Sequence, residues 1–151
     1  MPNPHRIYLD ACALNRLSDS PVQQRVALEA AAMERLLRGM RTGQLRWIAS
    51  TVLVVEIQNN PDEQRRNSAL ALLAYAMELC RPSAVSAGRG RQLNQLGYGK
   101  LDALHLALAE EHGCDLLLTT DDRFLRRALR KLGRPSVRVE NPLNYWKEVR
   151  L

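Results

Sequence analysis

Residues 101–124 read LDALHLALAEEHGCDLLLTTDDRF, and this segment indicates how the chain folds. Apolar residues recur through 101–112 at the spacing of an amphipathic helix, and Gly113 follows as a typical helix terminator. Residues 115–118 then form a short apolar run, which is typical of a buried strand and delivers two threonines and Asp121. A helix that leads directly into a buried strand predicts part of a parallel α/β sheet.

The rest of the chain alternates in the same way. Further strands are predicted at 6–9, 45–49 and 137–139, with a short extended piece near 84–85. Further helices are predicted at 22–40, 89–96 and 122–131, and a long one carries Leu70, Leu73, Met77 and Cys80 on one stripe before Pro82. Residues 51–57 fit either a strand, by their β-branched residues, or a short helix capped by Ser50 or Thr51. The alternation predicts an α/β fold with a mostly parallel central sheet.

Length and charge set the class of protein. The chain has 151 residues without a long linker or repeat, so a single domain spanning residues 1–151 is expected. Its 22 basic and 16 acidic residues give a net charge of +6, which favours a polyanionic partner such as nucleic acid. Neither a signal peptide nor a membrane-spanning run is evident, so a cytoplasmic protein is expected. The scattered cysteines, Cys12, Cys80 and Cys114, are expected to be buried free thiols.

Four acidic residues stand in apolar surroundings. Asp10 and Asp121 each follow a predicted strand, Glu56 follows a β-branched run, and Asp102 opens an apolar helix. Buried carboxylates are costly without a partner, and a group of them suggests a metal ion or a shared proton; if a metal is bound, oxygen ligands favour Mg²⁺ or Mn²⁺ over zinc. Asp102 and Asp122 are also candidates for helix N-caps. Other acids, such as Glu29, Glu34 and Glu63, have basic or polar neighbours and are expected to be solvated.

Four stretches of the sequence resemble the PIN domain family, which includes the VapC toxins and related metal-dependent ribonucleases. They are YLDAC at 8–12, VVEI at 54–57, LDALHLA at 101–107 and LLTTDDRF at 117–124. A bacterial subgroup of short PIN proteins is more closely similar, through LDACALNR at 9–16 and NPD at 60–62. The resemblance implies a three-layer α/β/α sandwich with a mostly parallel central sheet.

The resemblance also implies an active site. It assigns Asp10, Glu56, Asp102 and Asp121 to an acidic pocket that binds Mg²⁺ or Mn²⁺, with Glu56 on a short helix. Thr119 or Thr120 would orient a carboxylate or a metal-bound water. The Thr-x-Asp-x-x-Phe frame selects Asp121 as the fourth ligand, with Asp122 beside it in the pocket. Ala11 and Cys12 depart from the Ser or Thr that often follows the first aspartate in VapC proteins.

Several other residues have two interpretations. His105 lies on the same side of its helix as Asp102 and could reach a metal or phosphate, although a core or supporting histidine is favoured. Asn15 and Arg16 either line the rim of the pocket or complete a turn. The basic residues near the site either contact phosphates or form a solvated face with partners such as Glu140; the candidates are Arg16, Lys100, Arg123, Arg126, Arg127 and Arg130.

These observations predict an endoribonuclease that depends on Mg²⁺ or Mn²⁺ and hydrolyses phosphodiester bonds of RNA. The resemblance adds a homodimer, and it makes the toxin of a toxin–antitoxin pair, with a small antitoxin protein as partner, a candidate role. One alternative is a PIN-fold module that binds nucleic acid or protein without useful turnover. Another is a metal-dependent phosphoesterase that acts on DNA.

Overall fold

A parallel sheet of five strands lies at the centre of the structure, a computed structural model that describes residues 5–148, with side chains to Tyr145. The strands are β1 His5–Leu9, β2 Leu45–Ser50, β3 Glu78–Cys80, β4 Leu116–Leu118 and β5 Arg138–Glu140. Their order across the sheet is β3-β2-β1-β4-β5, and every neighbouring pair is parallel. The predicted α/β fold with a parallel sheet is confirmed.

Helices cover both faces of the sheet. They are α1 Ala11–Asn15, α2 Gln24–Arg41, α3 Thr51–Gln58, α4 Glu63–Leu72, α5 Ala84–Gln95, α6 Lys100–Glu111, α7 Asp122–Leu129 and α8 Pro142–Glu148. Within residues 5–148, none of these helices has the length and apolar character needed to cross a membrane.

The strand residues divide between two separate cores because successive side chains of a strand point to opposite faces. Ile7 and Leu9 of β1 pack in one core with residues of α1 to α4 and Tyr145 of α8. Tyr8, between them, packs in the other core with residues of α5, α6 and α7. The chain is therefore an α/β/α sandwich of three layers.

Residues 51–58 form a helix, which decides between the two predicted interpretations of this segment. Ser50 ends β2 in extended conformation, and its Oγ accepts a hydrogen bond from the backbone N–H of Leu53 at 3.1 Å. This cap begins α3 directly after the strand, and Leu53 and Ile57 are the residues of the helix that are buried.

The middle of the chain was predicted wrongly in two places. The long helix expected to continue to Cys80 ends at Leu72; a short 3-10 turn, Leu73–Tyr75, follows, and Glu78–Cys80 is β3. The extended piece expected near 84–85 is the first turn of α5, because Ser83 caps this helix. A strand of three residues is too short to show an alternating pattern, and pairing with β2 is what makes it a strand.

Candidate active site

Asp10 and Asp121 lie just beyond the carboxyl ends of β1 and β4, which are neighbours in the sheet. Asp10 is buried, and its Oδ1 accepts a hydrogen bond from the N–H of Ala13 at 2.9 Å, which caps α1. Asp121 caps α7 by accepting from the N–H groups of Arg123 at 2.9 Å and Phe124 at 3.4 Å. Both carboxylates are therefore held by helix N-termini.

Thr119 connects these two aspartates. Its hydroxyl oxygen accepts the N–H of Asp121 at 3.1 Å, and its side chain lowers the pKa of Asp10 against the larger effect of burial. Thr119 is fully buried at the end of β4. Thr119 therefore lies between the two aspartates and interacts with both.

Glu56 and Asp102 approach from two helices. Glu56 lies on α3, where it contacts Nε2 of the buried His105. Asp102 lies in the first turn of α6, but Gly99 occupies the N-cap position, so the prediction of a capping Asp102 is wrong. Among the described residues Asp102 has no hydrogen bond or ion pair to another side chain, which leaves its carboxylate oriented by the helix alone.

These carboxylates are close enough for the charge of one to shift the pKa of another. Burial raises the pKa of Asp10 to about 7, and the charge of Asp102 adds to this effect. Burial likewise raises the pKa of Asp102 to about 6, followed by the charges of Asp121 and Glu56. The pKa of the Cys12 thiol rises to about 12 through desolvation and then through all four carboxylates, so Cys12 stands in their common field.

The donor chemistry of this group fits a hard divalent cation. Carboxylate oxygens are the ligands that Mg²⁺ and Mn²⁺ prefer, and a cation would offset both the burial that chiefly raises the pKa values of Asp10 and Asp102 and the carboxylate charges that add to it. Within residues 5–148, no three acidic, histidine or cysteine side chains are already close enough to share one metal ion. The carboxylates therefore fit the cation in charge and chemistry without forming a closed coordination shell.

Two adjoining cavities open beside the carboxylates. One of about 420 Å³ reaches Glu56, the other of about 280 Å³ reaches Thr120 and Asp121, and both are lined by Cys12, Asn15 and Arg65. Asn15 thus lies at the rim of the site. Cys12 is exposed here, so the expectation of a buried thiol is wrong for Cys12, whereas Cys80 and Cys114 are buried.

Asp122 is placed differently from Asp121. Its exposed carboxylate forms a bidentate ion pair with Arg25, at 2.7 and 2.8 Å, and this hydrogen bonding holds its pKa below the ordinary value. Arg25 also donates to the carbonyl of Thr120 at 3.1 Å. The prediction that Asp122 caps α7 is wrong, because Asp121 occupies the cap.

A buried glutamate organises the arginines beside the site. Glu29 was expected to be solvated, but it is fully buried and pairs with Arg16 at 2.9 Å and Arg25 at 3.3 Å. Arg16 pairs also with Asp19 at 2.7 Å, and the same aspartate contacts Arg65. Sequence reasoning missed Arg25 and Arg65; the i,i+4 spacing of Arg25 and Glu29 was the available signal.

The arginines of α7 and its C-cap, Arg130, differ from those around Glu29. Arg123, Arg126 and Arg130 are exposed, and Arg127 is half-buried near Asp102. The charge of Arg127 lowers the pKa of Asp102, but burial and the charge of Asp121 raise this pKa by more. Within the described part of the chain none of the four forms an ion pair. Glu140, their expected partner, pairs with Arg138 at 3.1 Å. Lys100 is exposed at the start of α6.

Comparison with known proteins gave a family and a fold. The sequence profile of the PIN domain matches residues 7–129. The structure is similar to VapBC2 from Rickettsia felis bound to a DNA fragment from its promoter, with a TM-score of 0.55, 16% identity, and coverage of 89% of this chain and 98% of that chain. It is also similar to PAE2754 from Pyrobaculum aerophilum, with a TM-score of 0.55, 14% identity, and coverage of 93% and 85% respectively. The search of curated proteins returned no significant match.

Proposed function

The chain belongs to the PIN domain family, and from this premise we propose that it is an endoribonuclease that depends on Mg²⁺ or Mn²⁺. The observation that carries the proposal is the convergence of four carboxylates from separate elements. Burial and then the charge of Asp102 raise the pKa of Asp10, and burial and then the charges of Asp121 and Glu56 raise the pKa of Asp102. Buried carboxylates that repel one another are costly unless they bind a cation.

We assign the binding of the cation to Asp10, Glu56, Asp102 and Asp121. A bound divalent ion would activate a water molecule and stabilise the charge that develops on the scissile phosphate. The chain holds two of these carboxylates in fixed positions, because backbone N–H groups of α1 and α7 donate to Asp10 and Asp121. Fixed donors and carboxylates reduce the reorganisation that the reaction requires.

The decisive experiment compares substrates and a single variant. In the presence of a chelator the protein should leave single-stranded RNA intact. Added Mn²⁺ should start cleavage by the wild type but not by Glu56→Gln. RNA hairpins and DNA flaps are tested as further substrates under the same conditions. Cleavage of DNA in preference to RNA would support the phosphoesterase alternative, and binding without cleavage would support the non-catalytic module.

The arginines of α7 and its C-cap, which form no ion pair within the described residues, support a binding track for the RNA backbone that begins beside Asp121. We predict that changing Arg126, Arg127 and Arg130 together to glutamine weakens RNA binding and flattens its dependence on salt. Each lost phosphate contact should reduce the slope of log K against log salt by about 0.7 for a single strand. Binding is measured in a Glu56→Gln background, so that cleavage does not interfere with the titration.

The matched control changes three exposed arginines of other elements, Arg38, Arg46 and Arg91, to glutamine. This variant loses the same charge but should keep most of the slope, because its arginines lie outside α7. Equal slopes for the wild type and the triple variant would mean that Arg126, Arg127 and Arg130 form a solvated face and do not contact phosphates.

We propose in addition that the protein forms a homodimer. Val55 and Leu101 are 53% and 47% exposed, and they line a mostly apolar cavity of about 270 Å³ next to Glu56, which a second protein surface would cover. Light scattering should give twice the chain mass for the wild type and a smaller mass for a Val55→Asp variant. A monomeric wild type at micromolar concentration would contradict the dimer.

A small antitoxin protein is the second partner that we propose, on the basis of the VapC resemblance. Its natural source is a short reading frame adjacent to the gene. Co-expression should yield a complex in which RNA cleavage is suppressed and then restored when the partner is removed. A complex that cleaves as fast as the separate chain would contradict the toxin–antitoxin role.

A further inference from the structure

A chain of buried hydrogen bonds connects three elements that carry carboxylates. Tyr8 Oη lies 2.6 Å from Ser50 Oγ and 2.5 Å from Nδ1 of His105, and the other ring nitrogen, Nε2, contacts Glu56. Tyr8, Ser50 and His105 are at most 1% exposed. Tyr8 precedes Asp10 by two residues on β1, and His105 follows Asp102 by one helical turn on α6.

The direction of each hydrogen bond follows from the two ends of the chain. At one end, the N–H of Leu53 donates to Ser50 Oγ at 3.1 Å, so the hydroxyl proton of Ser50 is available for Tyr8. At the other end, the Glu56 carboxylate only accepts, so His105 must donate through Nε2–H. Tyr8 therefore accepts from Ser50 and donates its own proton to Nδ1 of His105, and every donor in the chain has an acceptor.

The opposite direction leaves a proton without a partner. If Nδ1 of His105 carried a proton, it would donate to Tyr8, and Tyr8 would donate to Ser50. Ser50 Oγ has no other hydrogen-bond partner among the described residues, so its hydroxyl proton would be buried and unsatisfied. Buried polar groups without a partner are strongly disfavoured. The network thus selects the neutral imidazole that carries its proton on Nε2.

We propose that Tyr8 and His105 are positioning residues. Tyr8 locks His105 in the Nε2–H tautomer, and His105 holds the Glu56 carboxylate in a fixed orientation toward the acidic site. A glutamate on a helix surface otherwise samples several rotamers. The network also ties β1, the start of α3 and α6 together, so Asp10, Glu56 and Asp102 keep their mutual spacing. The catalytic consequence of this lock rests on the nuclease function proposed above.

The first test observes the tautomer directly and requires no enzymatic activity. Long-range ¹H–¹⁵N spectra of the ¹⁵N-labelled, metal-free full chain at neutral pH should show His105 as a neutral imidazole with the proton on Nε2. The sequence has three histidines, and the signals that disappear in His105→Gln identify the one of interest. A proton on Nδ1, or on both nitrogens, would overturn the proposal whatever the protein cleaves.

The second test separates positioning from packing. Tyr8→Phe keeps the aromatic ring but removes the hydroxyl that bonds Ser50 and His105. It should lower kcat or the affinity for Mn²⁺ about 10–100-fold, the range seen when groups that orient metal ligands are changed. Tyr145→Phe is the matched control, because it removes another buried tyrosine hydroxyl whose hydrogen bond goes to His5, outside the network. Equal effects of the two variants would contradict a positioning role.

The third comparison uses two substitutions of the histidine. His105→Gln can place an amide N–H where Nε2 lies, whereas His105→Asn is too short to reach Glu56. We expect His105→Gln to retain more Mn²⁺ affinity and more cleavage than His105→Asn, with both variants folded by circular dichroism. Equal losses in two folded variants would mean that His105 only fills space.

Discussion

Asp121→Asn should abolish RNA cleavage, whereas Asp122→Asn should retain substantial activity. Asp121 shares the field of the acidic site and raises the pKa of Asp102, while Asp122 faces Arg25 in an exposed ion pair. An amide is an uncharged and poorer metal ligand, so the loss should be at least about 100-fold, beyond the range of residues that merely support ligands. Asparagine caps a helix nearly as well as aspartate, so α7 and the fold should persist.

The other proposed ligands should behave like Asp121. The variants Asp10→Asn, Glu56→Gln and Asp102→Asn should each lose cleavage and bind Mn²⁺ more weakly, with unchanged circular dichroism. The measurement is single-turnover cleavage of a labelled single-stranded RNA in saturating Mn²⁺. If Asp121→Asn and Asp122→Asn lose activity equally, the fourth ligand has been assigned wrongly or both aspartates serve.

The metal-free protein should lose stability as the pH rises from about 4 to about 7. Asp10 has a folded pKa of about 7 against an ordinary value of 3.8, because burial disfavours its charged form. A raised folded pKa means that the stabilisation is complete below the unfolded pKa and is lost as the pH climbs to the folded value. Three pKa units correspond to about 4 kcal/mol for this fully buried group.

Neutralising one carboxylate should therefore stabilise the metal-free protein at neutral pH. Asp102→Asn removes a charge that raises the pKa of Asp10, and Asp102 is not the N-cap of α6, so no cap is lost. A gain of about 1 kcal/mol would raise the melting temperature by roughly 2–4 °C in a chain of this size. Excess Mn²⁺ should stabilise the wild type much more than the variant, because a ligand stabilises the state that binds it.

Melting curves of both proteins in chelator and in excess Mn²⁺ measure these differences. Near pH 4 the advantage of Asp102→Asn in chelator should shrink, because Asp10 and Asp102, with pKa values of about 7 and about 6, are then largely protonated in the wild type. Glu34→Gln, which changes an exposed helical acid outside the site, controls for the overall change in charge. A variant that melts lower in chelator, together with equal shifts by Mn²⁺, would show that the carboxylates do not share a pocket.

The elements with strong local signals could be predicted from the sequence. The apolar run at 115–118 and the helical pattern at 101–112 appear as β4 and α6 with small differences at their ends. Asp10 could be selected because it directly follows an apolar strand, and Asp121 because it follows one after two threonines. In a parallel sheet such positions meet at one edge, and the structure places both aspartates there.

Weaker local signals failed. β3 has three residues and is a strand because it pairs with β2, so its sequence shows no alternating pattern from which it could be predicted. The helix α8 was not predicted either. Glu29 looked like a solvated helix residue because its charge dominated the local pattern. Its position on the inner face of α2, where Arg16 and Arg25 neutralise it, depends on how α2 packs.

By itself the sequence determined the α/β class and the parallel sheet, and it singled out the acidic residues in apolar surroundings, because period and composition are local properties. Only the tertiary structure decided how those acids are oriented. Asp121 is the N-cap of α7 and lines a cavity beside Cys12 and Asn15, whereas Arg25 holds Asp122 in an exposed ion pair. Likewise Tyr8, Ser50 and His105 are far apart in the chain and ordinary as residues, and they become a network only where β1, β2 and α6 pack together.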